Sequence, residues 1–531
     1  MTLRIGLLID STALPQWQRI VVEFIKKSDQ LTLSLVVVNN AKVQNNSKLL
    51  YRLLRAMDRA IHKNPNDCFE RFDCRDLLEG LDVISVKPTQ TKFTDSFSDE
   101  SIREIQSRQL DVMIRFGFRI LKGDILRTAK FGVWSLHHGD SKVNRGGPPA
   151  FWEVVEKLPV TGVTLQILSG DLDGGRVISK SFIRTNSTSF YRNQVDLYWA
   201  GVELLVNTLR KFSIDRSLEP VSTRFYSNRL FKNPGNLKAF WIFLFFLLRR
   251  LYKYFLRLAR RPRWSLYFAK SSGSRFETSL FRYKRIESPS GVDWADPFVI
   301  KHQDRYYLFF EELPSGSRVA HISFICLSNT GKLIEPTPTP IIQEAFHLSY
   351  PFIINYNGSY YLIPESATDN NVWLYVCEQF PKKWTKLKAL VPNAAIYDPT
   401  LHFHGGFWYL FGTQRPYPGS SPDQYLHIYL TDDLLGGRWK PHPLNPITRD
   451  VRCARPAGRI FEFDGKLVRP VQLGAPNYGY GVRFMQITRL TPEEYNEEYF
   501  DEVVPHWESG LRAVHTFNVA EGLSVIDAQS A

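Results

Sequence analysis

Residues 132–147, GVWSLHHGDSKVNRGG, followed at 162–175 by GVTLQILSGDLDGG, decide how the first part of this 531-residue chain is read. A strand-like run, Asp111 to Ile120 (DVMIRFGFRI), leads into a short helix. Val133 to Leu136 then climbs out of the core and ends on His137, in a turn rich in Gly, Asp and Asn. This order puts an imidazole at the exposed carboxyl end of a strand, where open α/β sheets hold their ligands. Farther on, Asp173 sits in LDGG, whose two glycines allow a tight turn that exposes the carboxylate. A His and an Asp on two loops are the minimum set for moving protons near neutral pH.

Outward from this stretch, strand and helix signals alternate. Leu3 to Ile9 and Leu31 to Asn39 read as short strands separated by an amphipathic Gln16 to Lys27. Ser47 to Lys63 has apolar residues at helical spacing with basic residues opposite, and Asp99 to Arg108 reads as another helix. Phe151 to Lys157 opens a helix after Pro148 and Pro149, and Gln194 to Lys211 closes the region. Residues 1–220 are therefore expected to form a Rossmann-like α/β domain, a mostly parallel sheet covered by helices.

The chain is too long for one core, and its 44% hydrophobic and 23% charged residues describe a globular multidomain protein. Five cysteines with no C-x-x-C pair read as reduced thiols, neither a disulfide framework nor a zinc site, and no metal is expected. The apolar run at the amino terminus is too short for a secretory signal, so a cytoplasmic location is expected. The formal charge of +14 is concentrated: residues 221–285 hold sixteen Lys and Arg against the single acid Glu277. Nucleic acid is not expected as a partner, because the rest of the chain is close to neutral.

That basic stretch falls in a linker, residues 221–275. Ala239 to Leu248 (AFWIFLFFLL) is ten apolar residues long, about 15 Å as a helix against roughly 30 Å of bilayer hydrocarbon. It cannot span alone. Seven cations follow, from Arg249 to Arg263, interleaved with Leu, Tyr and Phe. Residues 239–263 thus read as a basic amphipathic helix lying on an anionic membrane surface, which makes the protein peripheral on the inner face of the membrane. A helix packed between domains with a solvated basic face has the same pattern.

From residue 276 to 531 the signal changes to short strands and turns. DPFVIKHQDRYYLFFEE (296–312), YPFIINYNGSYYLIPES (350–366), DPTLHFHGGFWYLFGTQ (398–414) and RPAGRIFEFDGKLVRPVQ (455–472) repeat one unit, with prolines 54, 48 and 57 residues apart. A proline, an alternating strand, a turn and an aromatic strand make one hairpin of a blade, so an all-β five-bladed propeller is expected. Its fifth blade would be closed by His515 to Val519, Leu523 to Asp527 and Leu280 to Ile286.

The first region resembles the folate-dependent formyltransferases, which act on methionyl-tRNA, glycinamide ribonucleotide or amino sugars. The matching residues are Gly132, His137, Arg145, Gly146, Gly162, Val163, Thr164, Leu172, Asp173 and Gly175. Ser135 stands where the family has Asn, Lys142 where it has Pro, and Asn144 where it has an aromatic residue. The resemblance implies N10-formyltetrahydrofolate as formyl donor and His137, Asp173 and Ser135 as catalytic residues. It also implies pterin contacts at Phe116, Gly117 and Phe118, and a neutral primary amine as acceptor. Lys142 and Arg145 at the mouth could meet an acceptor phosphate.

The repeat region resembles the five-bladed propellers of glycoside hydrolase family 43, and more closely the N-terminal region of plant glucosamine inositolphosphorylceramide transferases, through WADPF, YDPT and HTFN. Asp296 and Asp398 align with the hydrolases' general base and with the acid that tunes its partner, and are expected to bind substrate. Ala454 and Arg455 occupy the region where the general-acid Glu belongs, which argues against hydrolysis.

Together these features lead to the expectation of an N-formyltransferase acting on an amino sugar carried by a nucleotide or lipid phosphate, with a carbohydrate-binding propeller. Two alternatives stand beside it. One is a glycan-binding or scaffold protein whose formyltransferase domain has decayed; the other is a propeller-based glycosidase or glycosyl-transfer accessory.

Overall fold

Seven apolar runs of the first region assemble into one sheet in the order Arg176–Arg184, Val160–Ile167, Val133–His137, Val112–Arg115, Leu3–Ile9, Leu31–Asn39, Val83–Val86. The computed structural model describes residues 2–530 apart from 42–47, 141, 144, 171–174, 219–229, 260–261 and 272–276. The five strands from Val133–His137 to Val83–Val86 pair in parallel, and the two last-added strands pair antiparallel. Leu3–Ile9 (LRIGLLI) is buried at every position but Arg4, as a central strand covered on both faces must be. Helix Gln16–Lys27 turns Trp17, Val21, Val22 and Ile25 inward, and helix Phe190–Asp215 supplies much of the rest of the same core.

The chain moves from Leu3–Ile9 outward to Leu31–Asn39 and Val83–Val86, then crosses to Val112–Arg115 on the other side of the first strand. That reversal creates a switch point between the carboxyl ends of Leu3–Ile9 and Val112–Arg115, the crevice in which open α/β sheets bind ligands.

The described chain divides into one unit of Met1–Tyr252 with Pro416–Ser420 and a second of Lys253–Arg415 with Ser421–Ala531. The second unit consists of five antiparallel sheets. Four are four-stranded meanders within 293–342, 349–391, 397–441 and 461–503. The remaining sheet joins the two ends of the unit: Arg263–Lys270 pairs along its whole length with Leu523–Ser530, flanked by Lys284–Ile286, Leu511–Ala513 and Phe517–Ala520. The leading strands Asp293–His302, Ser349–Tyr356 and Tyr397–His404 touch in succession, and Asp293–His302 also touches Leu523–Ser530. This is the strand order of propeller blades.

Three of the four x-Pro dipeptides of the repeat have the same local effect; the fourth, Arg455-Pro456, lies outside the strands. The pairing register shifts between Ala295 and Phe298, between Ser349 and Phe352, and between Tyr397 and Thr400, so a bulge spans each dipeptide. At these bulges Asp296, Tyr350 and Asp398 take φ of 53, 45 and 51°, the left-handed region that non-glycine residues avoid. Strain of about 1–3 kcal/mol per residue is expected there.

Two features differ from the expected organisation. Strand Arg263–Lys270 lies inside the stretch read as linker; its alternation, RWSLYFAK, sits directly behind a dense run of cations that masks it. The helix of the linker runs from Asn236 to Ala259, longer than its apolar decamer. Ala239, Ile242, Phe243 and Phe246 form a stripe that packs against Tyr51, Leu54, Phe151, Phe190 and Phe231 of the first unit. No helix among the described residues is long and apolar enough to cross a membrane.

Candidate functional site

In the first unit, His137 is the last residue of Val133–His137, half-buried and paired with Thr164 on the neighbouring strand. The loop after it is braced from below. Thr164 Oγ1 donates to the Gly139 carbonyl at 3.1 Å, and Asp140 forms an ion pair with Lys180. A Cβ on Gly162 would stand 2.9 Å from Asp140 Cβ, so the glycine of the GVT motif is what admits the loop. Arg145 and Gly146 pair with Leu230 and Phe231, which fastens the far end of the same loop. Lys142 is exposed on this loop and its side chain meets no described partner close to His137; the side chain of Arg145 lies outside the described residues. Asp173 and Leu172 also lie outside them.

Ser135 is buried on the strand that carries His137, and its Oγ accepts a hydrogen bond from Arg115 Nη1 at 3.0 Å. Arg115 also donates to the Phe118 carbonyl at 3.2 Å; burial lowers its pKa, opposed by Asp10 and Asp95. A guanidinium therefore stands against the hydroxyl that replaces the family's amide. Sequence reasoning missed Arg115, although its place at the end of the strand beside Val133–His137 was the available signal.

Phe116, Gly117 and Phe118 lie at the switch point, but their amides serve the fold. The N–H groups of Phe116 and Gly117 donate to the Leu8 carbonyl, and that of Phe118 donates to Asp10 Oδ1 at 2.8 Å. Asp10 also accepts from Asn39, so it ties three strand ends together. A Cβ on Gly117 would lie 2.5 Å from the Asp10 nitrogen, which makes this glycine a requirement of strand packing. As amide donors these three residues do not fit a pterin; a pterin there would have to be met by carbonyl oxygens.

His138 is not a reserve catalytic base. Its ring stacks on Tyr198 with centroids 3.7 Å apart and meets the Trp17 ring edge-on. Burial, then His137 and Arg115, lowers its pKa to about 3, so it stays neutral, with Nε2 shut off from solvent and unbonded. Trp17 and Tyr198 are also the inner wall of a cleft of about 650 Å³ between three helices. Arg55, Arg59 and Arg71 line it together with Phe69 and Tyr191. Arg55 Nη1 is buried without a hydrogen-bond partner. Cations and rings in one cleft suit a phosphate attached to a planar or apolar group.

In the second unit, the residues before the repeat prolines converge. Arg455 donates to Asp398 twice, from Nε at 2.6 Å and Nη2 at 3.0 Å, to Asp423 at 2.8 Å and to Glu365 at 3.2 Å. Gln472 adds a bond to Asp398 at 2.9 Å. Burial, reinforced by Asp398, raises the pKa of Glu365 well above the usual carboxylate range. Tyr350 links the two halves of the cluster: its N–H donates to Asp296, and its hydroxyl meets Thr400 and accepts from the Gly458 amide.

Asp296 is buried, and Thr516 Oγ1 donates to it at 2.7 Å. Asp527, on the last strand, accepts from the backbone amides of Asp296, His515 and Thr516. His515 Nδ1 lies 2.6 Å from Asp527 and 3.8 Å from Asp296. Burial alone would lower the His515 pKa, but the carboxylates of Asp527 and Asp296 outweigh it and raise it to about 9. Burial raises that of Asp296, against the opposing charge of His515. Asp296, His515 and Asp527 place ligand atoms within 4.8 Å of one another, a spacing open to a metal ion. The donor set favours a proton, because both carboxylates already accept several hydrogen bonds and the imidazole is held protonated.

The HTFN motif is thus a clip. His515 and Thr516 engage the acids, Phe517 enters the core, and Asn518 bonds the Pro297 carbonyl and the Arg459 amide. Trp264 stacks on His515 at 4.1 Å, and Tyr478 meets it edge-on and is 43% exposed. These rings were missed; they face the acidic cluster, whereas Trp294, Tyr306, Tyr361, Trp408 and Tyr409 are buried within the sheets. Asp296 and Asp398 are brought into one cluster with Arg455, and Ala454, which precedes it, stands in the general acid's place, so the pair of carboxyls needed for hydrolysis is not formed by them.

The chain thus joins an open, mostly parallel α/β sheet unit to a unit of five antiparallel sheets. A family model described as the N-terminal region of glucosamine inositolphosphorylceramide transferase 1 matches residues 284–519. The transferase of that name from Arabidopsis thaliana is 37% identical over 205 residues, 38% of this chain and 26% of the relative. A methionyl-tRNA formyltransferase from Staphylococcus epidermidis is 31% identical over 119 residues, 22% of this chain and 38% of the relative. The chain thus spans about a quarter of the plant relative and under two-fifths of the bacterial one. Among solved structures, an N-formyltransferase from Helicobacter canadensis, in complex with folinic acid and dTDP-3-aminofucose, has a TM-score of 0.29 at 14% identity, covering 43% of this chain and 71% of that one. The chain is similar to formyltransferases in its first part and to the plant enzymes' N-terminal region in its second.

Proposed function

We propose that the first unit transfers a formyl group from N10-formyltetrahydrofolate to the primary amine of an amino sugar carried on a nucleotide or lipid phosphate. The second unit, as a five-bladed propeller, binds carbohydrate. The protein works in the cytoplasm at the inner face of the membrane, held there through residues 239–263.

The observation that carries this reading is His137 at the end of its strand beside the switch point, within a chain 31% identical over 119 residues to a formyltransferase. The formyl donor supplies an activated acyl carbon. His137 takes the proton that the acceptor amine loses as its C–N bond to the formyl carbon forms; the bond from that carbon to N10 of the donor breaks, the proton returns to the leaving N10 to give tetrahydrofolate, and Asp173 orients the imidazole. The cleft lined by Arg55, Arg59 and Arg71 supports a phosphorylated acceptor and takes over the role expected of Lys142 and Arg145.

A second reading is favoured by one contact. Arg115 donates to Ser135, so the oxyanion donor expected there is a hydroxyl already fixed by a cation, which fits a site that has lost turnover and serves as scaffold. One experiment separates the two. The protein is incubated with N10-formyltetrahydrofolate and a panel of nucleotide-linked amino sugars, and products are weighed by mass spectrometry. A formyl gain abolished by His137→Ala supports the enzyme. No gain with any acceptor, together with no folate binding by calorimetry, leaves the scaffold.

A further inference from the structure

Helix Leu49–Ile61 carries an apolar stripe that the core does not use. Tyr51 and Leu54 point inward, and Asp58 is drawn inward to Ser189 and the Tyr191 amide. Leu49, Leu53, Met57 and Ile61 recur every fourth residue on another face and are 46–63% exposed. Helix Asn236–Ala259 repeats the arrangement. With Ala239, Ile242, Phe243 and Phe246 inward, Leu237, Trp241, Phe245 and Leu248 lie outward, between 46 and 74% exposed.

The two helices are neighbours running in the same direction. The Leu50 amide donates to Asn236 Oδ1 near their starts. Farther along, burial and the nearby Arg250 guanidinium depress His62, opposed by Asp58. Both rest on one buried cluster, with Tyr51 and Leu54 from the first and Ala239 and Ile242 from the second. Their unused faces therefore look away from the same layer. Exposed cations border both: Lys48, Arg52 and Lys63 on one segment and Lys238 and Arg250 on the other, while Arg55 and Arg59 turn into the cleft; Asp58 is the only acid in 48–63 and there is none in 236–259.

We propose that the two helices form a single docking face for an anionic phospholipid surface, lying in its plane with both apolar stripes in the interface. Paired apolar stripes supply insertion and the bordering cations supply the attraction to lipid charge. The proposal rests on the membrane contact proposed for residues 239–263 and adds a second helix to it. Arg263 drops out of that contact, because its guanidinium bonds to the Pro289 and Ser288 carbonyls.

Flotation of the full chain tests this without any catalytic readout. Vesicles of phosphatidylcholine alone are compared with vesicles containing phosphatidylglycerol, at low and high salt. The wild type is expected to float with the anionic vesicles and to be weakened by salt. Leu53→Glu with Met57→Glu is expected to lower partitioning by at least about tenfold, with an unchanged unfolding profile. Leu53→Gln with Met57→Gln is the milder pair, used if the charged pair does not fold. Wild-type flotation of the folded pair, while Trp241→Glu abolishes binding, would leave a one-helix contact and overturn the shared face. Equal flotation with phosphatidylcholine alone would overturn the anionic occupant. Absence of flotation in a wild type that sediments as a dimer, dissociated by the same pair, would assign the face to a second copy of the chain.

Discussion

Arg455→Met removes the cation that pairs with Asp398, Asp423 and Glu365. Methionine fills similar volume, so the cost comes from charge and not from a cavity. Four hydrogen bonds of 2.6–3.2 Å disappear and three buried carboxyls lose this cation. Breaking a buried pair by removing one side costs about 3–5 kcal/mol. For a unit of this size that lowers the melting temperature by about 6–20 °C. The sign of the pH effect follows from the acids left behind. A carboxyl whose folded pKa is raised destabilises the fold above its unfolded value, and Glu365 is already raised in the wild type. Acidification from pH 7.5 to 5 should therefore narrow the gap between variant and wild type. Calorimetry of the full chain, following the transition of the sheet unit, measures both. Arg455→Lys should fall between, because a single ammonium cannot span three acids. A Met variant that melts within a degree or two of the wild type at pH 7.5, or a gap that stays constant on acidification, would refute the account of this cluster as a charge-locked centre.

Two histidines should give the units opposite pH responses. His515 is raised to about 9, so its contribution is complete below about pH 6.5 and lost as pH rises through 9; the loss, about 3 kcal/mol, should vanish in His515→Gln. His138 is depressed to about 3, so the first unit should lose roughly 1.4 kcal/mol per pH unit as pH falls below 6.5, and His138→Phe should flatten that slope in acid unfolding curves. Ser135→Asn should raise any formyl transfer by about tenfold or more, since one oxyanion donor is worth roughly 10²- to 10³-fold. A fall in rate would show that the Arg115–Ser135 pair serves the acceptor.

Much of the fold was legible because its signals are local. Leu3–Ile9, Gln16–Lys27 and Leu31–Asn39 have the bounds their patterns imply, and the x-Pro repeat marked the leading strand of three of the four-stranded sheets. The site was legible where position on a strand sets exposure, as for His137. It was hidden where distant segments meet. Nothing in the order of residues tells that Arg455 lies against Glu365, Asp398 and Asp423, that Arg115 reaches Ser135, or that the amides of 116–118 are consumed by Leu8 and Asp10. The strand Arg263–Lys270 was hidden for a different reason: its partner, Leu523–Ser530, lies at the opposite end of the unit, and its cations resemble those of the preceding helix.

That partnership has a consequence for biosynthesis. Strand Arg263–Lys270 leaves the ribosome before the other sheets of its unit, yet its partner Leu523–Ser530 emerges only after all four meanders that lie between them. The first unit's seven-stranded sheet needs only residues that have already emerged, so it can be complete while the sheet unit still waits for its closing strand. Throughout translation of that unit, an edge of Arg263–Lys270 stays open to the wrong neighbour, the condition under which β proteins aggregate. Arg263 and Lys270 at its two ends, with Lys284 and Arg285 on the strand beside it, are the kind of charge that discourages such pairing until Leu523–Ser530 arrives.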